Sequence, residues 1–273
     1  METDTSDKEA IMKYGFLGCG NMGGAIARAL SKVTKEIMVT DRSGRAKALA
    51  QELGIRYGTA QEVASSCDRI FLAVKPNMMA QVLEPLQPYF QLHKPLLITM
   101  AAGLTMERIG QLAGGSLPII RIMPNTPVAV GKGMTQYYCN DLVSPETVAS
   151  FREDLRFSGQ LDELEERLID AASALSGCGP AYAYLFIEAL ADGAVSCGVP
   201  RAKAMEYAAA TLIGAGEMVL ATRQHPGALK DAVCSPGGST IAGVRALEQH
   251  GFRGAVMDCV AAAYEKNKEL GKK

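Results

Sequence analysis

Short apolar runs alternate with amphipathic stretches between residue 14 and residue 164. The apolar runs predict strands at Tyr14–Leu17, Glu36–Thr40, Arg69–Ala73, Leu96–Thr99 and Ile119–Met123. The amphipathic stretches predict helices at Met22–Leu30, Ala46–Leu53, Ala60–Ser65, Met78–Leu86, Met106–Gln111 and Pro145–Leu155. Two further strand patterns, Gly133–Tyr138 and Ser158–Leu164, extend the same sheet. Alternating strands and helices with buried apolar strands indicate a parallel, doubly wound α/β sheet.

The pattern changes after Leu164, where strand signals end. Long Ala-rich helical patterns follow, at Glu165–Leu175, Pro180–Cys197, Arg201–Thr222, Pro226–Val233, Ser239–Gln249 and Gly251–Leu270. We therefore predict two domains, an α/β domain over residues 1–164 and an all-α domain over residues 165–273.

One helix of the second domain is unusually poor in basic residues. No Lys or Arg lies between Arg167 and Arg201, and the helix carries Tyr182, Tyr184 and Phe186. A helix of this kind is buried on most sides. A domain this small cannot cover it alone, so we predict that it forms the core of a dimer interface.

Composition excludes several classes of partner. The chain of 273 residues has a formal net charge of −1, and its Lys and Arg residues are scattered rather than clustered. This distribution argues against a nucleic-acid surface, and no charge-free apolar run is long enough to predict a membrane span. The first ten residues, METDTSDKEA, lack the basic and apolar regions of a signal peptide.

Cysteine and histidine usage points to a reducing compartment without a metal. The seven Cys residues are odd in number, irregularly spaced and without a C-x-x-C motif. This pattern favours reduced thiols in a cytoplasmic protein over disulfides or a zinc site. None of the three His residues stands at ligand spacing from another His or from a Cys, so no metal is predicted.

A glycine-rich turn follows the first predicted strand. Gly18-x-Gly20-x-x-Gly23 stands between an apolar strand and a helix of small residues. In this context the first glycine makes the tight turn, the second admits a pyrophosphate, and the third allows close helix–strand packing. The motif predicts a Rossmann-type dinucleotide site. Its predicted contacts are Gly18, Cys19, Gly20, Asn21 and Met22.

The end of the second strand bears on the choice of cofactor. Asp41 lies where an acid binds the ribose 2′-OH of NADH and repels a 2′-phosphate. The residues that follow suit that phosphate: Arg42, Ser43, Arg45 and Lys47. In the alternative interpretation they are only surface groups at a helix start. We predict NADPH as the preferred cofactor, with NADH as the alternative.

The carboxyl ends of the later strands should line the same crevice, because parallel strands end at one edge of the sheet. Lys75 has the alternative interpretation of a solvated loop residue. The predicted cofactor contacts at these strand ends are Val74, Lys75, Pro76, Asn77, Ala101, Ala102, Gly103, Pro124 and Asn125.

A second glycine-rich segment lies in the helical half. Ser235, Pro236, Gly237, Gly238, Ser239 and Thr240 precede a new helical pattern. Adjacent glycines let the backbone approach a ligand, and free N–H groups at a helix start attract a carboxylate. Ser239 or Thr240 suits the N-cap position. Taken alone, the segment also fits an ordinary helix–loop–helix corner.

Several motifs in order resemble the pyrroline-5-carboxylate reductase family. They are GFLGCGNMG (15–23), AVKP (73–76), AAG (101–103), RIMPNTPVAVGKG (121–133), ALSGCGPAYAYLFIEALADGAVSCGVPR (174–201) and HPGALKDAVCSPGGSTIAG (225–243). The resemblance implies a nicotinamide cofactor on the Rossmann domain and a helical domain that interlocks with a second subunit. It also implies hydride transfer to L-1-pyrroline-5-carboxylate, which gives L-proline. The expected assembly is a homodimer, with a decamer of five dimers as a larger form.

The resemblance also assigns roles at the second glycine-rich segment. Thr240 becomes the catalytic residue, whose hydroxyl faces the imine nitrogen, and the residues 235–240 become the substrate-binding loop. Cys178 departs from the family, which often has Ser there, so its role stays open.

Two other functions are alternatives to this one. A β-hydroxyacid dehydrogenase-like oxidoreductase uses a Lys early on the long interdomain helix, and residues 168–200 contain no Lys. A non-catalytic NAD(P)-sensing Rossmann protein need not keep the segment SPGGST (235–240).

Overall fold

The computed structural model describes residues 11–270, so the expectation for the first ten residues lies outside it. The strands are β1 Tyr14–Leu17, β2 Ile37–Thr40, β3 Arg56–Tyr57, β4 Arg69–Leu72, β5 Leu96–Thr99, β6 Ile119–Met123, β7 Gly133–Cys139 and β8 Gly159–Glu163. The helices of the first part are α1 Asn21–Leu30, α2 Arg45–Leu53, α3 Ala60–Ser66, α4 Met79–Leu83, α5 Gln87–His93, α6 Met106–Leu112, α7 Pro145–Asp154 and α8 Glu166–Ser176. Five more follow, α9 Gly179–Ser196, α10 Arg201–Thr222, α11 Pro226–Ala232, α12 Ser239–Gln249 and α13 Phe252–Leu270.

All eight strands form one sheet in the order β3-β2-β1-β4-β5-β6-β7-β8. The doubly wound α/β sheet and the helical C-terminal part are therefore confirmed. The strands β7 and β8 extend the sheet as predicted, but the sequence did not indicate their directions. The strand β7 runs antiparallel to β6, and β8 runs parallel to β7. The short connection from residue 124 to residue 132 explains this, because a parallel crossover needs a dozen or more residues.

The region after β4 differs from the single helix predicted over Met78–Leu86. Pro76 and Pro85 each begin or interrupt a short 3-10 turn, so that only Met79–Leu83 is α-helical. Proline lacks the N–H that an inner helical turn requires. The pattern of the sequence did not predict the strand β3 or the helix α5.

Helices cover both faces of the sheet. One face packs Phe16 and Ile122 against residues of α1, α2 and α7, and the other packs Leu17 and Leu97 against residues of α3 to α6. Neighbouring β1 and β4 are joined by a parallel stack of Phe16 on Phe71, with ring centroids 4.5 Å apart. These two apolar layers hold the carboxyl ends of β1 and β4 side by side.

The described chain divides into two compact units. Residues up to Gly177 and from Tyr264 onward form the sheet unit, and Cys178–Ala263 form the helical unit. The helix α8 thus lies with the sheet, because buried Arg121 on β6 pairs with Glu166 at 3.3 Å and with Asp170 at 2.7 Å. The domain boundary between residues 164 and 165 stays a prediction.

Arg121→Met should lower the free energy of unfolding by about 2–4 kcal/mol, because it leaves two carboxylates without their buried counter-ion. The Arg121 side chain is only 2% exposed. The matched control is Arg167→Met, whose ion pair with Glu165 is exposed and should contribute less than about 1 kcal/mol. Urea denaturation at one fixed protein concentration measures both. Equal losses in the two variants would show that Arg121 does not clamp α8 to the sheet.

The helical unit has little core of its own. In this unit the helices α9 and α10 pack through three buried alanines, Ala191, Ala204 and Ala208. Large apolar side chains remain exposed, among them Tyr184, Leu185, Leu190, Met205, Tyr207, Ile213, Met218, Leu220, Val233, Val256 and Met257. The predicted burial of α9 is thus absent within one chain, as expected of a surface that needs a partner. Among the described helices, none combines the length and the apolar character that a membrane crossing requires.

Candidate functional site

The carboxyl ends of β1 and β4 form a crevice. The chain leaves β1 toward β2 on one side, whereas β4, β5 and β6 follow on the other, so the strand order reverses here. Ligands of doubly wound sheets bind at such a point. A cavity of about 540 Å³, here called the crevice cavity, opens at this position. Eight of the predicted cofactor residues line it: Gly18, Cys19, Gly20, Asp41, Arg42, Ser43, Val74 and Lys75.

The glycine-rich turn has the geometry that a dinucleotide requires. Gly18 has φ +102°, and a Cβ there would lie 2.7 Å from the carbonyl oxygen of Ala73. A Cβ on Gly23 would lie 2.5 Å from the carbonyl oxygen of Gly18. The helix α1 can therefore pack this close to the turn only because residue 23 is glycine. At Gly20, by contrast, an added Cβ meets no atom within 4 Å. This open space at the start of α1, whose N-cap makes no side-chain hydrogen bond, fits a pyrophosphate.

Cys19 lies within this turn but is not reactive. Burial, and secondarily the negative charge of Asp41, raises the pKa of its thiol to about 12. The thiol therefore stays protonated near neutral pH and is a poor nucleophile. Cys19 contributes shape and backbone groups to the crevice cavity.

Asp41 organises the loop after β2. Its carboxylate accepts a hydrogen bond from the Ser43 hydroxyl at 2.7 Å and from the Gly44 backbone N–H at 3.0 Å. Local hydrogen bonds from an Asp side chain to a nearby backbone N–H are common in tight loops. Asp41 therefore shapes the wall of the crevice cavity in addition to placing a negative charge there.

Asp41→Asn should raise the NADPH/NADH ratio of kcat/KM by roughly 3- to 10-fold, because it removes a like charge beside the 2′-phosphate position. Asparagine still accepts the Gly44 hydrogen bond, so the loop keeps its shape. Steady-state kinetics with both cofactors measure the ratio. An unchanged or lower ratio would show that the Asp41 carboxylate does not face the ribose.

Nine other predicted cofactor residues do not line the crevice cavity. Asn21, Pro76 and Asn77 are exposed at helix or turn starts, whereas Met22 packs against the core. Ala101, Pro124 and Asn125 are buried, and Ala102 and Gly103 are half-buried. The Asn125 amide donates to the Ser176 carbonyl and accepts from the Met134 N–H, both at 2.9 Å. Contact of these nine residues with a cofactor stays a prediction.

Sequence reasoning missed the opposite wall of the crevice cavity. That wall comes from the start of α3, from α4 and from the turns on either side of α4, and no motif marks it. The only signal was the helical pattern after Lys75. Its residues, with one more from the end of β2, are Thr40, Ala60, Gln61, Met78, Gln81, Val82, Pro85 and Leu86.

The loop before α12 is a tight turn. The Gly238 N–H donates to the Ser235 carbonyl at 3.0 Å, and Gly237 has φ +68°. A Cβ on Gly238 would lie 2.4 Å from the Ser235 hydroxyl oxygen, so a larger residue there would require the Ser235 side chain to rotate away. The expected N-cap was wrong, because Gly238 occupies that position and Ser239 and Thr240 are the first two helical residues. The turn frees both side chains from capping.

The start of α12 presents hydrogen-bond donors, and the loop at residues 235–240 before it contains no basic side chain. Thr240 is exposed, and its hydroxyl makes no hydrogen bond within residues 11–270. The first backbone N–H groups of a helix lack intrahelical acceptors, and Gly238 supplies no side-chain cap. Beside them a cavity of about 520 Å³ is lined by Gly237, Gly238, Ile241, Ala242, Arg245 and Gln249. Among the predicted substrate residues, Gly237 and Gly238 line this cavity, whereas Ser235, Pro236, Ser239 and Thr240 do not. The first N–H groups of α12 suit a small carboxylate.

Tyr182 lies in the helical unit and packs rather than acting as an acid. The Tyr182 hydroxyl donates to the carbonyl of Cys259 at 3.4 Å, and burial raises its pKa, so it is a packing residue. Cys178 is the N-cap of α9 without a side-chain cap bond. In the part of the chain that the structure describes, no group of three His, Cys, Asp or Glu side chains could hold a metal ion.

Comparison with known proteins adds independent findings. A family model described as pyrroline-5-carboxylate reductase dimerisation matches residues 166–270, and one described as NADP oxidoreductase, coenzyme F420-dependent, matches residues 13–103. Pyrroline-5-carboxylate reductase of Escherichia coli (strain K12) is 44% identical over 267 residues, covering 95% of this chain and 98% of the relative. The crystal structure of Plasmodium falciparum pyrroline carboxylate reductase with NADP bound superimposes with TM-score 0.85 at 34% identity, covering 96% of this chain and 98% of that one.

Proposed function

The chain belongs to the pyrroline-5-carboxylate reductase family, and from that premise we propose how its residues perform the reaction. It reduces L-1-pyrroline-5-carboxylate to L-proline with NAD(P)H, the last step of proline biosynthesis. The observation that carries this function is the 44% identity to a named reductase over 98% of that relative's length. The dehydrogenase-like and cofactor-sensing alternatives are not favoured.

The crevice cavity holds the cofactor in this proposal. When bound, the reduced nicotinamide supplies the hydride. The backbone of Gly18–Gly20 and the start of α1 receive the pyrophosphate, and the loop after β2 receives the adenine ribose. We expect NADPH to be preferred because Arg42 and Ser43 line the cavity and suit a 2′-phosphate.

The loop at residues 235–240 and the start of α12 hold the substrate. The first backbone N–H groups of α12 bind its carboxylate, and the Thr240 hydroxyl donates a hydrogen bond to the ring nitrogen. Addition of hydride to the C=N carbon leaves an electron pair on the ring nitrogen, which takes up one proton from solvent through the Thr240 hydroxyl. The protein therefore needs to orient the ring and to pass one proton to the nitrogen, and no charged acid is required.

The assembly in this proposal is a homodimer formed through the helical unit. The matching dimerisation model and the exposed apolar side chains of α9, α10 and α13 support it. A decamer of five dimers is the larger form that we propose. We also propose a cytoplasmic location, which the seven free thiols support.

The cofactor preference is tested by binding and turnover together. Titration calorimetry with NADP⁺ and NAD⁺ gives two dissociation constants, and steady-state kinetics with pyrroline-5-carboxylate gives kcat/KM for each reduced cofactor. We expect NADPH to have the higher kcat/KM. A higher kcat/KM with NADH would reject the proposed preference while leaving the reductase activity intact.

A further inference from the structure

The side chain of Arg42 spans the mouth of the crevice cavity. Arg42 belongs to the loop after β2, yet its guanidinium contacts the opposite wall. Its Nη1 donates to Gln81 Oε1 at 3.5 Å, and its Nη2 lies 3.6 Å from the sulfur of Met78. Both partners belong to the wall that follows β4, and all three residues line the cavity.

The rest of the loop is held by its own hydrogen bonds. Ser43 and the Gly44 N–H both donate to Asp41, which fixes the backbone around Arg42. The Arg42 side chain is long and exposed, and these bonds do not restrain it. A flexible arginine loses rotamer entropy when it binds a ligand, and a partner that restrains it beforehand reduces that loss. Gln81 is placed to be such a partner.

The chemistry of the Gln81 amide suits this purpose. Its carbonyl oxygen accepts one of the five guanidinium N–H groups and leaves the positive charge intact. The remaining N–H groups stay available for a bidentate contact with phosphate oxygens. A carboxylate at the same place would hold the arginine more firmly but would cancel its charge. A neutral acceptor is therefore compatible with an anionic ligand at Arg42.

We propose that Gln81 is a positioning residue that favours the phosphorylated cofactor, by holding the Arg42 guanidinium at the 2′-phosphate position. The inference rests on the proposed preference for NADPH. It extends the determinants of that preference from the loop after β2 to α4. NADH has no 2′-phosphate, so its binding should not depend on this contact.

The test is a double-mutant cycle in the full-length enzyme. Arg42→Met should raise KM for NADPH by about 20-fold or more, and Gln81→Leu by about 3- to 5-fold, because the first removes the charge and the second only its restraint. The double variant should match Arg42→Met alone. Gln81→Glu should raise KM for NADPH more than Gln81→Leu does, because the carboxylate cancels the charge of Arg42. For NADH, which lacks the 2′-phosphate, Gln81→Leu should raise KM much less than it does for NADPH.

The matched control is Gln111→Leu. Gln111 also accepts from an arginine, Arg108, at 3.2 Å, but on the exposed surface of α6. Its loss should leave the KM values for both cofactors unchanged. The inference is overturned if Gln81→Leu changes both KM values alike, or if the effects of Arg42→Met and Gln81→Leu multiply. A wild-type enzyme that favours NADPH and shows either result refutes the role of Gln81 alone, whereas a wild-type preference for NADH overturns both proposals.

Discussion

Thr240→Val is expected to lower kcat by about 10- to 1,000-fold while leaving the cofactor dissociation constant nearly unchanged. The hydroxyl is the one side-chain donor that we assign to the ring nitrogen, and valine keeps the shape while removing it. A hydrogen bond that strengthens as charge changes in the transition state affects kcat rather than binding. Steady-state kinetics and titration calorimetry on the same preparation measure the two quantities.

The matched variant is Thr240→Ser, which keeps the hydroxyl and should retain most of the activity. The structure sharpens the comparison because Gly238, not Thr240, is the N-cap of α12. Loss of an N-cap would lower the free energy of unfolding by about 1 kcal/mol. Because Thr240→Val leaves the N-cap in place, its Tm should fall little. A variant with wild-type kcat and a clearly lower Tm would show that the role of Thr240 is structural and not catalytic.

Leu185→Glu combined with Ile213→Glu should disrupt the dimer and reduce activity by more than about 10-fold. These side chains are 67% and 64% exposed within one chain. Charges at the core of an apolar interface remain unpaired and oppose association. Sedimentation velocity at micromolar protein, with activity assayed on the same sample, measures the effect.

The control for that pair is Leu92→Glu. Leu92 is 76% exposed on α5 of the sheet unit, outside the proposed interface. This variant should sediment as the wild-type protein does and keep its activity. The proposed obligate dimer would be contradicted by a wild-type protein that sediments as a stable, active monomer at low concentration.

The apolar periodicity was sufficient to predict elements with a buried face. The strands β1, β5 and β6 and the helix α10, all of which bury residues, have the predicted bounds. The helix α12 also has the predicted bounds although it buries none of its residues, because the Gly237–Gly238 turn marks its start. The strand β3 is only Arg56–Tyr57 and is exposed, so no apolar pattern marks it. The helix α5 buries only Phe90 and begins with a proline in its first turn, which weakens its pattern.

The candidate site was predictable only where a motif carries the chemistry. Gly18 and Gly23 are required by close backbone contacts, and such requirements leave a recognisable glycine spacing. The wall of the crevice cavity that includes Gln81 and Val82 comes from ordinary helix residues, whose role depends on the tertiary arrangement. The N-cap of α12 was misplaced because the Ser235–Gly238 turn ends at the glycine, so the helix already begins at Ser239.

The reductase activity itself is tested most directly by following cofactor oxidation with L-1-pyrroline-5-carboxylate as the only acceptor, and by identifying the product. The purified wild-type protein should oxidise NADPH or NADH only when this substrate is present, and should form one L-proline for each cofactor oxidised. Absence of substrate-dependent oxidation in a folded, dimeric preparation, or formation of a product other than proline, would contradict the assignment.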